Sequence, residues 1–418
     1  MFQALTAQHW QGLSLQHWAA LGIFGVVYLG MFLGGLPRFK LDRSGVALLG
    51  AIAMIAVMGW SVEDAARAVD LPTLVLLFAF MVLSAQMRLG GFYTATVRAV
   101  GGWPLGPRGL LAALIAVAAV LSAVFSNDVV CLAMTPVVLR ICLQRTLPPV
   151  PFLLALACAA NIGSAATLIG NPQNMLIGSM LSIPFGGYLQ AVALPVLVSL
   201  GLLWVWLARG IGQGPQLARV PIPVAQAEDP PFDRWQSAKG LAVAAVLMGL
   251  FLFTEVSRPV AALVGAAVLL LSRRLHSAQV MGFVDWPLLM LFIGLFIVNH
   301  GLAQTGLAAQ AVQALAVQGV PLTEPGVLAA VTVGLSNLVS NVPAVMLLLP
   351  HLGGSAAAGT WLALVSTLAG NLLLVGSIAN LIVADLARQQ GVEIDWRAHA
   401  RVGLPVTLLS LLTVWLFL

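Results

Sequence analysis

Apolar residues run through this chain in blocks long enough to cross a lipid bilayer, separated by short polar intervals. A helix needs about 20 apolar residues for one crossing. Ten blocks read as crossings: roughly 19–36, 44–60, 71–88, 150–181, 186–208, 239–254, 259–272, 286–303, 359–387 and 402–418. Two further apolar stretches, 109–143 and 326–352, each carry Ser-Asn near the middle. The first reads FSNDVVCL at 125–132 and the second VSNVPAVM at 339–346. Ser, Asn and Asp are expensive in hydrocarbon, so both interruptions need a structural reason.

The two halves of the pattern repeat. VDLPTLVLLFAFMVL at 69–83 matches VDWPLLMLFIGLFIV at 284–298, with Asp70/Asp285 and Pro72/Pro287 each 215 apart (285 − 70; 287 − 72). Gly50/Gly265 and Gly91/Gly306 keep the same offset. LSAVFSNDVVCLAMTP at 121–136 matches LSNLVSNVPAVMLLLP at 335–350, at an offset of 214 (335 − 121). GNPQN at 170–174 matches GSIAN at 376–380, at an offset of 206 (376 − 170). Each half holds five crossings and one Ser-Asn stretch. Five is odd, so the second half enters the membrane from the opposite face. That is an inverted-topology repeat, the architecture of many secondary transporters.

The second Ser-Asn stretch decides what both are. Its returning arm runs from 342 only to Pro350, about 14 Å at ~1.5 Å per residue, too short to cross. By symmetry both stretches are re-entrant helical hairpins whose tips face a site inside the membrane, since non-helical backbone is tolerated there only when buried in protein or lining a cavity. The crossing after each hairpin is also interrupted. In NIGSAATLIGNPQNML, Gly170 and Asn171-Pro172 stop a continuous helix, with Asn171 as N-cap and Pro172 as first residue of a new half-helix. In LAGNLLLVGSIANLIV, Gly370, Asn371, Gly376 and Ser377 do the same. Unwound carbonyls suit cations and half-helix N-termini suit anions. The expected fold is therefore all-α and polytopic, with about ten transmembrane helices, two re-entrant hairpins and two broken helices. Two half-sites follow: Ser126, Asn127 and Asp128 with Thr167, Gly170, Asn171 and Asn174; and Ser340 and Asn341 with Gly370, Asn371, Gly376, Ser377 and Asn380. Of these, Ser126, Asn127, Asn174, Ser340, Asn341 and Asn380 are expected to bind substrate, and the rest, Asp128 included, to couple an ion. Asp128 also suits a helix N-terminus as a cap. His300 reads as an interfacial polar residue and Asp385 as the structural partner of Arg388.

Composition agrees. Of 418 residues, 60% are hydrophobic and 8% charged, against about 25% charged in soluble proteins. The net charge of +5 does not point to nucleic acid, because the basic residues sit in short loops. With the N-terminus outside, 17 of the 19 Lys and Arg residues fall in inner loops, leaving Arg67 and Arg258 outside. This asymmetry sets the orientation, with both termini periplasmic in a bacterial inner membrane. The chain then divides into an interfacial segment at 1–18, a first repeat at 19–208, a cytoplasmic linker at 209–238 and a second repeat at 239–418. The N-terminal stretch has no Lys or Arg and does not read as a signal peptide. Cys131, Cys142 and Cys158 lie in apolar segments without metal-ligand spacing and read as small hydrophobes.

Hairpins with Ser-Asn tips, each followed by a Gly- and Asn-rich broken helix, resemble the ion transporter superfamily, in particular its citrate/arsenite-permease-like branch. More distantly they resemble the divalent-anion/sodium symporters. Ser126-Asn127 and Ser340-Asn341 stand where the dicarboxylate symporters carry Ser-Asn-Thr, but the third positions here are Asp128 and Val342. An Asn-Asp tip is similar instead to arsenite permeases. The resemblance implies substrate at the tips, sodium at the adjoining loops, and a homodimer.

The expected function is a secondary active transporter for a small anion or metalloid, coupled to H+ or Na+, with no cofactor beyond a bound Na+. The alternative is a Na+/H+ antiporter with Asp128 as the exchange site. No enzyme motif such as HExxH or Gly-x-Ser-x-Gly occurs, and no nucleotide-binding loop.

Overall fold

The structure, a computed structural model, describes residues 14–36, 39–211 and 231–418. Residues 1–13 of the expected interfacial segment and 212–230 of the expected linker lie outside the described residues. The first repeat runs through α1 (Leu15–Leu33), α2 (Arg43–Met58), α3 (Val62–Arg67), α4 (Leu71–Leu89), α5 (Phe92–Gly101), α6 (Pro107–Val124), α7 (Asn127–Gln144), α8 (Pro149–Ser164), α9 (Pro172–Met180) and α10 (Phe185–Gly210). The second runs through α11 (Arg234–Phe253), α12 (Arg258–Leu270), α13 (Ser277–Met281), α14 (Trp286–Gln304), α15 (Leu307–Val317), α16 (Pro325–Val339), α17 (Asn341–Leu348), α18 (Ala356–Ala369), α19 (Ile378–Gln389) and α20 (Trp396–Phe417). A two-residue antiparallel ladder pairs Gly35–Leu36 with Leu41–Asp42. Among the described residues, eight helices are long and apolar enough to span a bilayer.

Two matched pairs, Asp70/Asp285 and Gly91/Gly306, do the same work in each copy. Asp70 accepts from the N–H of Thr73 at 2.8 Å and Asp285 from that of Leu288 at 2.9 Å, so Asp-x-Pro opens α4 and α14. Gly91 and Gly306 open α5 and α15 at φ +67° and +71°, a left-handed conformation that a Cβ disfavours. The two hairpins are α6–α7 and α16–α17, and α17 has only eight residues before a short 3₁₀ turn. The two broken helices are α8–α9 and α18–α19. Two helices begin earlier than the hydropathy indicates: α11 at Arg234 and α20 at Trp396. Asp233 and Asp395 cap them, giving polar first turns that an apolar window does not register.

The described chain forms two compact units, and they do not follow the repeats. One lies within Met1–Leu74 and Asp285–Leu362, where α14 packs on α1 and α2 and also meets α17. The other holds Val75–Val284 and Ala363–Leu418, where α8 packs against α6, α7, α10 and α19. The second unit thus contains the first hairpin and both helix breaks, while the second hairpin belongs to the first unit.

Candidate functional site

In the larger unit, hairpin α6–α7 turns at Phe125–Ser126. Ser126 takes the N-cap place of α7 without a side-chain bond to the helix. Asp128 sits in the first turn of α7, where the helix dipole favours a carboxylate. The tip is fastened to the first break through its backbone, Asn127 N–H donating to the Gly170 carbonyl at 3.3 Å. Gly170 has to be glycine. A Cβ there would overlap the Ser164 backbone and lie 2.8 Å from the Ser122 carbonyl.

The first break is organised by side-chain amides. Asn171 caps α9 through its Oδ1, which accepts from the N–H of Asn174 at 2.9 Å, and Pro172 is the first helical residue. Asn174 donates from Nδ2 to the Thr167 carbonyl at 3.0 Å and to Tyr188 Oη at 3.2 Å. The Thr167 hydroxyl donates to the Ala123 carbonyl. In the second break, Asn380 Nδ2 donates to the carbonyls of Gly370 at 2.8 Å and Leu373 at 3.3 Å, and Gly376 closes a 3₁₀ turn. Asn174 and Asn380 therefore each tie a half-helix to its own loop, with both amide hydrogens engaged.

The two breaks are cross-bonded. Asn161, the last polar residue of α8's interior and 1% exposed, donates from Nδ2 to Asn371 Oδ1 at 2.9 Å and to Asn380 Oδ1 at 3.1 Å. Its Oδ1 accepts from Asn127 Nδ2 and from Ser377 Oγ, each at 3.0 Å. Reciprocally, Thr367 Oγ1 of α18 accepts from Asn171 Nδ2 and Gln173 Nε2, each at 3.2 Å, and meets Asn174 Oδ1 at 3.4 Å. Asn161 and Thr367 are equivalents at the 206-residue offset, as are Asn171 and Ser377, and Asn174 and Asn380. Each repeat thus bonds into the break of the other. Among the described residues of the larger unit, Asn127 Oδ1, Asn371 Nδ2, Ser122 Oγ and His399 Nδ1 are buried polar atoms with no hydrogen-bond partner. Buried orphans cost about 1–3 kcal/mol each, so they mark places where a ligand, ion or water improves the energy.

Of the residues expected at the site, the larger unit brings together Asn127, Thr167, Gly170, Asn171, Asn174, Gly370, Asn371, Ser377 and Asn380, with Ser126, Asp128 and Gly376 on the same segments. Ser340 and Asn341 belong to the other unit. There Ser340 is held at φ +78°, ψ 161°, a conformation unusual for a residue with a Cβ. In that unit Tyr28 donates to Asn299 Oδ1 at 2.9 Å and to the Pro343 carbonyl at 3.2 Å, so α1 and α14 grip the returning arm two residues past Asn341. His300 is exposed and lies beside Trp60 and Gln304, and Arg388 pairs with Asp385 at 2.6 Å.

Three residues were not anticipated: Asn161, Thr367 and His399. His399 of α20 is buried, with Nε2 2.9 Å from the Asn371 carbonyl. A repeat comparison by position, rather than by identity, would have raised Asn161 and Thr367. Arg258, one of the two basic residues expected outside, donates to the Gly178 carbonyl at 3.0 Å and so holds the C-terminal end of α9.

Inverted repeats, paired hairpins and paired broken helices make this a multi-pass membrane transporter. The chain belongs to the citrate transporter family, whose pattern it matches over residues 28–369. It is 30% identical to the silicon efflux transporter LSI3 of rice (Oryza sativa subsp. japonica), covering 92% of this chain and 94% of that one. It is 24% identical to the putative transporter arsB of Dictyostelium discoideum, covering 90% and 87%. Among solved structures, the fold is similar to the Alcanivorax borkumensis YdaH transporter, with a TM-score of 0.58 and 15% identity over 96% of each chain.

Proposed function

We propose that this transporter moves a small, weakly ionised oxyacid of the arsenous or silicic acid type by alternating access, driven by H+ or Na+ at the first hairpin tip. The observation that carries the reading is the chemistry of that tip. Asn127 Oδ1 and Ser122 Oγ are buried oxygens without partners, and Asp128 adds a carboxylate in the next position. Oxygen acceptors suit a cation or the hydroxyls of a neutral acid, whereas a carboxylate at the tip repels a dianion. The rice relative is named for silicon efflux, which supports a metalloid as the solute. Asn174 and Asn380 serve as ties within the breaks in this reading, not as substrate contacts. The 17-to-2 distribution of Lys and Arg supports termini outside a bacterial inner membrane.

The same acceptor oxygens favour a second reading, a cation/proton antiporter with Asp128 as the exchange site. Flux into proteoliposomes separates the two. Arsenous acid, germanic acid as a silicic acid stand-in, and citrate are offered in turn, with Na+ and pH gradients imposed separately. Gradient-driven accumulation of either oxyacid supports the first reading. Na+/H+ exchange that proceeds without any added solute, with no oxyacid flux, replaces it with the second.

A further inference from the structure

The buried amides of Asn127, Asn161 and Asn371 are joined head to tail. Asn127 Nδ2 donates to Asn161 Oδ1 at 3.0 Å, and Asn161 Nδ2 donates to Asn371 Oδ1 at 2.9 Å. The run begins with an acceptor that has no partner, Asn127 Oδ1, and ends with a donor that has none, Asn371 Nδ2. Its direction follows from hydrogen-bonding capacity. Asn380 has its nitrogen anchored on two carbonyls, so its oxygen must face Asn161. Asn161 then presents nitrogen on that side and oxygen on the other, where the Ser377 hydroxyl also donates. Asn127 must answer with nitrogen and Asn371 with oxygen, which leaves the opposite atom of each open.

We infer that these three side chains form an amide relay, through which a cation held at Asn127 Oδ1 strengthens the donor that Asn371 Nδ2 offers to a substrate oxygen. The inference rests on the cation-coupled reading of the hairpin tip given above. A cation on an amide oxygen draws density from the conjugated nitrogen and makes its N–H a stronger donor. The next amide responds in the same sense. Such polarisation strengthens each bond in a chain by roughly 10–30% in a low-dielectric interior. By linkage, a substrate oxygen on Asn371 raises cation affinity at Asn127 by the same factor. The equivalent position in the other repeat is Thr367, whose hydroxyl is not conjugated to a second polar atom. The relay therefore has one polarity, with the cation on the side of the first hairpin and the substrate at the second break. Asn161 touches neither ligand. It acts through Asn127 and Asn371 as a positioning residue.

The test measures KM for whichever of arsenous acid, germanic acid or citrate the full-length wild type carries into proteoliposomes, at zero and at saturating concentration of the driving cation. Coupling of ordinary size lowers the wild-type KM by about fivefold or more. In Asn161→Ala the ratio of KM with and without cation should fall to about one, whatever the KM without cation becomes. Asn161→Asp is the second variant, should Asn161→Ala fail to fold. It can accept from Asn127 and Ser377 but, ionised, has no hydrogen for Asn371, and it should lose the ratio as well. Thr367→Val, equally buried and also cross-bonded, should keep the ratio. The relay is overturned if the Asn161 variants keep the ratio or if Thr367→Val loses it equally. Wild type that carries none of the three probes overturns the proposed substrate class, and wild type that carries one with a KM indifferent to cations overturns the cation coupling; either result takes the relay with it.

Discussion

Asn161 and Thr367 stand 206 residues apart (367 − 161), and each is hydrogen-bonded to the helix break of the other's repeat. Two breaks joined in this way are over-determined by side-chain amides. Neither half-helix can shift without breaking bonds to the opposite repeat. The region that would face substrate is thus stiff in its ties and incomplete at only a few atoms, which is the condition for a preorganised site.

The ties and the open atoms should separate by mutation. Asn380→Ala removes the donors to the Gly370 and Leu373 carbonyls and one acceptor of Asn161. It should destabilise the protein by about 2–3 kcal/mol, with KM of the folded fraction near wild type. Asn127→Ala should lose transport while its unfolding temperature in detergent changes little. Parallel melting and flux measurements check both; loss of transport in Asn380→Ala at unchanged stability would reassign that residue to ligand binding.

Ser340 holds a positive φ at the tip of the second hairpin. Glycine adopts that conformation without the Cβ penalty, so Ser340→Gly should stabilise the fold by about 1 kcal/mol. Thermal unfolding reads this directly. A lower unfolding temperature would mean that the Ser340 hydroxyl contributes more than the strain costs.

Arg258 is one of the two basic residues expected outside the inner loops, and its contact gives a reason for that place. It holds the Gly178 carbonyl at the end of the half-helix α9. Arg258→Leu should cost about 1–3 kcal/mol, since it leaves a buried carbonyl without its charged donor. Arg258→Lys should recover part of the loss. Equal melting of all three proteins would reduce Arg258 to an incidental contact.

Orientation is open to direct labelling. Ser355 follows the second hairpin and Ser277 opens α13, and both are exposed. Single cysteines at these positions, in an otherwise cysteine-free protein in intact cells, should react with a membrane-impermeant maleimide only at 355. Reaction at 277 alone would invert the assignment, and reaction at both would remove the inverted repeat.

The elements were legible because Gly, Pro and Asn punctuate apolar runs in ways that have mechanisms. Asn171-Pro172 spells out a cap and a first helical residue, and Asp-x-Pro does so in both repeats. The hairpins were legible because the eight-residue α17 cannot cross a bilayer. Asn161 was not legible. It is one polar residue in an apolar helix, and its repeat equivalent is a threonine, so a search for identical pairs passes over it. The hydrogen-bond partners of Asn174 and Asn380 were also hidden, because sequence shows that an amide is present but not which carbonyls its hydrogens reach. The two compact units were beyond reach for a related reason: packing α14 on α2 joins segments of different repeats, which no local pattern records.

Coupled transport at the first hairpin tip is tested most directly at Asp128. A carboxylate there can change its proton or its cation through a cycle, and the amide of Asp128→Asn cannot, although it can still serve a helix N-terminus. The measurement is initial oxyacid flux into proteoliposomes against external pH, with and without Na+, for wild type and Asp128→Asn. The account predicts a folded variant whose flux no longer depends on pH or Na+. A variant that transports with the wild-type pH and Na+ profile would contradict it, and would leave Asp128 as a helix-terminal charge and nothing more.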